Sequence, residues 1–194
     1  MTNTQDALER ALSFAEDYGL LAPIILAPMP GATPVPLSVA VTSGGGMGSC
    51  GVLLMTPDQI KSWVSDMRAS SNGTFQLNTW IPDPDPMRDQ QHEKEVRQFL
   101  GNWGPVVSET AGDVPLIDFS SQCEAMLEAG PTVISSIMGL YPPEFVKRFK
   151  AKGIKWFAKA TTVTEALMAE EAGADVIVAQ GMEAGGHKGA FNAA

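Results

Sequence analysis

Three times in its second half the chain repeats one local pattern, a helix, a stop glycine and a short β-branched or aromatic strand. Glu124 to Ala129 ends at Gly130 before Thr132-Val133-Ile134-Ser135, and Glu144 to Lys152 ends at Gly153 before Ile154-Lys155-Trp156-Phe157. Glu165 to Ala172 ends at Gly173 before Asp175 to Ala179. The glycines lie 23 and then 20 residues apart, at 130, 153 and 173. A helix that ends on a left-handed residue favours glycine there, and a strand only a few residues later fits the usual αβ connection. Consecutive strands joined through helices are expected to be parallel, with right-handed crossovers.

Helix starts fit the same scheme. Thr56-Pro57-Asp58-Gln59 supplies a cap threonine, a proline at the first helical position and a capping-box glutamine, followed by Ile60, Trp63, Val64 and Met67 on one face. Ser121-Gln122-Cys123-Glu124 and Thr162-Val163-Thr164-Glu165 repeat the box and predict starts at those positions. Earlier in the chain, Pro23 to Ala27 reads as a short apolar strand, Gly46 to Val52 as a glycine-rich one, and Phe75 to Thr79 as an alternating one. Six strands are thus expected near 24–27, 47–52, 75–79, 132–135, 154–158 and 175–179. Six βα-type units in order predict an α/β fold, a TIM (β/α)8 barrel.

A complete barrel takes about 250 residues, and this chain has 194. The expectation is a fragment, or a barrel completed by a remaining segment from the same or a second polypeptide. The predicted division is an N-terminal helix over residues 1–20, amphipathic through Leu8, Ala11, Leu12 and Ala15, and three quarters of one barrel over 21–194.

Composition removes several function classes. With 13 basic against 22 acidic residues the net charge is −9, which disfavours a nucleic-acid or anionic-membrane surface. No apolar run is long enough to span a bilayer, and acidic residues interrupt residues 1–20 where a signal peptide would need an apolar core. The 2 cysteines, Cys50 and Cys123, lack metal-ligand spacing and disulfide density, so reduced thiols in a cytoplasmic protein are expected, and no metal.

Between the third and fourth strands, Ile81-Pro82-Asp83-Pro84-Asp85-Pro86 predicts an extended loop, followed by a polar helix from Met87 to Leu100 and a loose segment from Trp103 to Phe119. His92 lies on that helix among Gln90, Gln91, Glu93 and Lys94, a solvated face without chemistry.

The other histidine stands out. It belongs to Ala179-Gln180-Gly181-Met182-Glu183-Ala184-Gly185-Gly186-His187-Lys188-Gly189, directly after the last predicted strand. Ligands of α/β folds gather at strand C-terminal ends, and glycines there admit an anion or a flat ring close to the backbone. Other residues expected at the barrel mouth are Ala27, Pro28 and Met29, Asn78, Ser135 and Ser136, Lys159, and Gln180. Together they suit a large planar polar ligand. Taken singly each has a structural alternative: Asn78 pinning a loop, Lys159 paired with a carboxylate, Met29 in the core, His187 merely solvated.

The Leu26-Ala27-Pro28-Met29 segment, the cluster Gly44-Gly45-Gly46 with Gly48, the Phe75-Gln76-Leu77-Asn78 strand and above all the Glu183 to His187 element resemble the FMN-dependent nitronate monooxygenases, formerly called 2-nitropropane dioxygenases. The resemblance runs from about Leu21 to the end. It implies a TIM barrel with FMN at the strand C-termini and oxidation of alkyl nitronates, or nitroalkanes, with O2 to a carbonyl compound and nitrite. His187 then matches the active-site histidine near the flavin N5 edge. Ala27, Pro28 and Met29 match the segment lining the isoalloxazine, Asn78 and Lys159 match polar flavin contacts, and Gln180, Gly185 and Gly186 match the loop against it. Pro30 departs from the small residue usual there and bears on the shape of the first loop.

The resemblance is compatible with a homodimer. Barrel phosphate sites usually come from the loops after strands seven and eight, so residues 1–194 alone are expected to bind FMN weakly or not at all. The same glycine-histidine element resembles FMN-dependent enoyl-acyl-carrier-protein reductases, which consume NAD(P)H. A third alternative is a non-catalytic flavin- or phosphate-binding barrel, or a truncated barrel acting as an interaction subunit.

Overall fold

In the computed structural model, which describes residues 4–84, 87–113 and 117–191, five parallel strands pair in sequence order. The elements run α1 (Thr4–Asp17), α2 (Val35–Ser43), β1 (Gly48–Gly51), α3 (Pro57–Ser70), β2 (Phe75–Trp80), α4 (Gln90–Leu100), α5 (Phe119–Ala129), β3 (Val133–Ile137), α6 (Pro143–Ala151), β4 (Lys155–Ala160), α7 (Val163–Glu171) and β5 (Val176–Ala179). Neighbouring strands that are consecutive, parallel and linked by helices follow the winding of a TIM barrel. Residues 1–3, 85–86, 114–116 and 192–194, all part of the sequence reading, lie outside the described residues.

Alternation along the strands creates two interiors. Outward residues Leu77, Ile134, Trp156 and Ala158 pack against Ile60, Val64 and Met67 of α3, Met126 of α5 and Phe149 of α6 in the main core. Inward residues Val133 and Phe157 join Met47, Ala15 and Leu20 in a second core, flanked by Phe14, Tyr18, Val176 and Val178. Tyr18 meets Phe157 edge-on at 5.1 Å between ring centroids, and Phe14 lies 6.1 Å from it. The C-terminal end of α1 therefore closes the lower end of the barrel. The stop glycines behave as the repeat requires, with φ of 60° at Gly130, 76° at Gly153 and 94° at Gly173.

Three expectations need correction. The strand expected at 24–27 is reduced to a single parallel bridge, Ile25 to Met47. Pro28 and Pro30 have no N–H to extend a ladder, and side chains take over the edge of β1 instead. Ser38 Oγ bonds both the carbonyl (2.7 Å) and the N–H (3.2 Å) of Ser49, and Thr33 Oγ1 accepts from Gly51 N–H at 3.3 Å. Second, α5 begins a turn before the expected Ser121, because the Asp118 carboxylate caps it and accepts from both the N–H and hydroxyl of Ser121. Third, α4 starts at Gln90 instead of Met87, with Asp89 accepting from His92 N–H.

No residue of α4 is buried among the described residues. No described helix is long and apolar enough to cross a membrane.

Candidate functional site

The C-terminal ends of the strands surround a cavity of about 660 Å³. Its walls are Ala27, Pro28, Met29 and Pro30 after the bridge, Leu53 and Leu54 after β1, Asn78 and Trp80 on β2, Ile137 on β3, Lys159 on β4, and Gly185, Gly186 and His187 after β5. A smaller cavity of about 220 Å³ lies deeper, sharing Ala27, Pro28, Asn78 and Lys159 and reaching Gln76, Phe157 and Val178. Eight of the nine residues that the family resemblance pointed to thus line one space.

Local structure places each wall. The first loop can lie against β1 because position 51 is glycine: a Cβ there would come within 2.7 Å of Pro30 N. Pro30 thereby packs on the sheet and leaves Ala27 to Met29 facing the cavity. The loop carrying Leu53 and Leu54 is gripped from α5, where the buried Gln122 amide donates to the carbonyls of Val52 (2.9 Å), Leu53 (3.1 Å) and Met55 (2.9 Å). Asn78 is 3% exposed and donates to Ser135 Oγ at 3.0 Å, while among the described residues nothing donates to its Oδ1. Ser135 and Ser136 both line the deeper cavity, although the Ser136 hydroxyl is engaged elsewhere. That hydroxyl accepts from Trp156 Nε1 at 3.0 Å, on the face covered by helices.

Lys159 is the cation of the site. Its Nζ has no carboxylate within salt-bridge distance among the described residues, and burial pushes its pKa below the ordinary lysine value. An ammonium held away from water without a counter-charge is a site for an anion or an electron-rich ring atom. The other cation nearby, Lys188, is occupied: its Nζ donates to the carbonyls of Gly181, Met182 and Ala184.

The loop after β5 is built to present His187. Gln180, expected at the cavity, uses both ends of its amide inside the loop, with Nε2 donating to His187 O at 2.9 Å and Oε1 accepting from Gly189 N–H at 2.7 Å. It does not line the cavity. A Cβ on Gly189 would lie 2.7 Å from Ile137 Cγ1, so the back of the loop presses on the end of β3. Cβ atoms on Gly185 and Gly186 would meet nothing within 4 Å, which leaves their backbone open to a flat ligand. The His187 ring packs edge-on against Trp80 at 4.8 Å between centroids.

Sequence reasoning missed Trp80, although the signal was present. Gln76, Asn78 and Trp80 alternate along β2, so a strand with Asn78 inward also turns Trp80 inward. Leu53, Leu54 and Ile137 follow the C-terminal ends of their strands by the same logic.

Comparison with known proteins agrees with this architecture. The nitronate monooxygenase family model matches residues 13–194. A nitronate monooxygenase of Paraburkholderia phytofirmans is 33% identical over 179 residues, covering 90% of this chain and 49% of that protein. Among solved structures, nitroalkane oxidase from Streptomyces ansochromogenes superposes with a TM-score of 0.79 at 27% identity, covering 93% of this chain and 52% of that one. FabK from Thermotoga maritima shares the fold, with a TM-score of 0.66 at 24% identity over 91% of this chain and 46% of its own. The chain spans about half the length of these relatives. With a parallel barrel-type sheet, a histidine and a lysine on one cavity at its C-terminal end, and a family match over nearly the whole length, the chain belongs to the nitronate monooxygenase family.

Proposed function

We propose that this chain holds the isoalloxazine end of FMN in the upper cavity and takes part in the oxidation of alkyl nitronates with O2, giving a carbonyl compound and nitrite. The observation that carries the reading is the convergence of Lys159, Asn78, the open Gly185-Gly186 backbone and His187 on one space of about 660 Å³. That volume lies in the range of small-molecule and cofactor sites. The donor set fits a flavin ring: an unpaired ammonium, a carboxamide with a free acceptor, and two glycines that leave a face clear. FMN supplies the electron sink that nitronate oxidation requires and that no side chain provides.

The remaining work falls to the chain. Lys159 opposes negative charge at the buried end of the cavity, and the low dielectric there strengthens its field. The His187 imidazole hydrogen-bonds the nitronate oxygens, or takes the proton from the α-carbon of a neutral nitroalkane. Trp80 limits the rotation of that ring. Met29, Leu53, Leu54 and Ile137 offer apolar surface to the alkyl group and exclude water.

Anaerobic mixing of the FMN-loaded protein with propyl-1-nitronate, and separately with NADH, tests the reading. Bleaching of the flavin by the nitronate and not by NADH is expected. Rapid bleaching by NADH alone would favour the reductase reading instead.

A further inference from the structure

Glu165 occupies the third position of α7, where a capping box asks only that its carboxylate reach back to the Thr162 N–H. One oxygen does that and more. Oε2 accepts from Thr162 N at 3.2 Å, from Thr161 N at 2.7 Å and from Thr161 Oγ1 at 2.8 Å. The other oxygen is not needed by the helix. Oε1 accepts from the backbone N–H of Phe191 at 2.8 Å, across 26 residues of chain. The residue is 9% exposed, so these bonds are shielded from competing water. Four donors keep the carboxylate ionised, and its pKa falls below the ordinary glutamate value despite burial.

Both ends of this tie lead to the site. Thr161 follows Lys159 by two residues at the end of β4, and Phe191 follows His187 by four at the end of the loop after β5. Gln180 closes that loop upon itself and its N–H donates to Ala160 O at 2.9 Å where the loop leaves the sheet, and Gly189 rests on Ile137, but among the described residues Glu165 is the side chain that bonds the far part of the loop to the β4–α7 turn. We propose that Glu165 is a positioning residue which fixes His187 relative to Lys159 across the cavity by holding the two backbone segments that carry them. Its importance for chemistry rests on the reading of His187 as the reacting imidazole, whereas the mechanical tie does not.

Glutamine separates the two duties. A capping box accepts Glu or Gln at this position, so Glu165→Gln, with one acceptor oxygen instead of two, keeps it for the turn and presents an NH2 group to Phe191 N–H. Glu165→Asp keeps the charge and is one methylene too short to serve both segments. Thr162→Ala is the control, because it removes the hydroxyl that accepts from Glu165 N–H at 3.1 Å and weakens the helix start without touching Phe191.

The readout is the NMR signal of the His187 ring, assigned by its loss in His187→Asn, with His92 on α4 as internal reference, and amide exchange at Phe191. In Glu165→Gln and Glu165→Asp the His187 signal is expected to shift or broaden while His92 stays in place. Exchange at Phe191 is expected to accelerate by about tenfold or more, the size set by losing a hydrogen bond to a charged group. Thr162→Ala should leave both readouts unchanged. A His187 signal that stays put in both Glu165 variants, or that moves as far in Thr162→Ala, overturns the proposal. Nitronate turnover is measured alongside: its absence in the unmodified protein refutes the functional reading and leaves the NMR result to decide the tie separately.

Discussion

The two ends of the barrel interior are built from the same strands and have opposite character. At the lower end Phe157, Val133 and Met47 pack with the plug of Phe14, at the end of α1, and Tyr18, just after it. Two residues further along β4, on the same face, Lys159 carries an unpaired charge into an open cavity. Two residues of strand rise about 7 Å. The comparison shows how a barrel of one strand pattern separates stability from chemistry: the plug stabilises the sheet, and the residues it frees from that task can be polar, open and poorly satisfied.

Damage at the lower end should fall on stability first. Phe157 is 1% exposed, so Phe157→Ala leaves a cavity among the aromatic rings and is expected to cost about 3–5 kcal/mol in urea denaturation. A loss under about 1 kcal/mol would mean that α1 is not a true plug. At the boundary between the two ends, Gly189→Ala drives a methyl into Ile137 and should cost about 1–3 kcal/mol while displacing His187. A normal melting temperature together with normal turnover would show that the loop has slack.

At the upper end the sign reverses. Lys159 has a lowered pKa, so at neutral pH the folded state carries the penalty of its buried charge. Between the folded pKa and the ordinary value of 10.5 the unfolded chain holds a proton that the folded chain does not, and stability rises with pH across that window. Lys159→Met should therefore stabilise the protein at pH 7, flatten that rise, and weaken flavin binding. Destabilisation with unchanged flavin affinity would assign the lysine to structure. The smallest effect concerns the thiols: burial pushes Cys50 and Cys123 up to about 12, so iodoacetamide at pH 8 should label neither until the chain is unfolded.

The same contrast explains what the sequence revealed. Repeated units were legible because their signals are local and agree with one another: Thr56 with Gln59 and Thr162 with Glu165 form the boxes their spacing predicts, and the stop glycines are left-handed. The helix α2 was not legible. Its residues Val35 to Ser43 are mostly apolar with Ser38, Thr42 and Ser43 scattered among them, without a 3.6-residue period, and two prolines surround its start. The bridge at Ile25 was overestimated as a strand because the competition from Ser38 and Thr33 for the edge of β1 is tertiary. In the site, strand-end position and alternation located Asn78 and Lys159, and alternation applied one step further would have located Trp80. Whether Gln180 faces the ligand or its own loop depends on the path of the chain through Gly189, which no spacing encodes.

The most direct test of the account is His187→Ala in the FMN-loaded protein, with nitronate turnover, flavin affinity and melting temperature measured together. The exposed ring contributes to no core, so stability and affinity should hold while turnover falls by about 10²- to 10⁴-fold. Unchanged turnover would contradict the claim that this imidazole, at the open end of the barrel, does the chemistry.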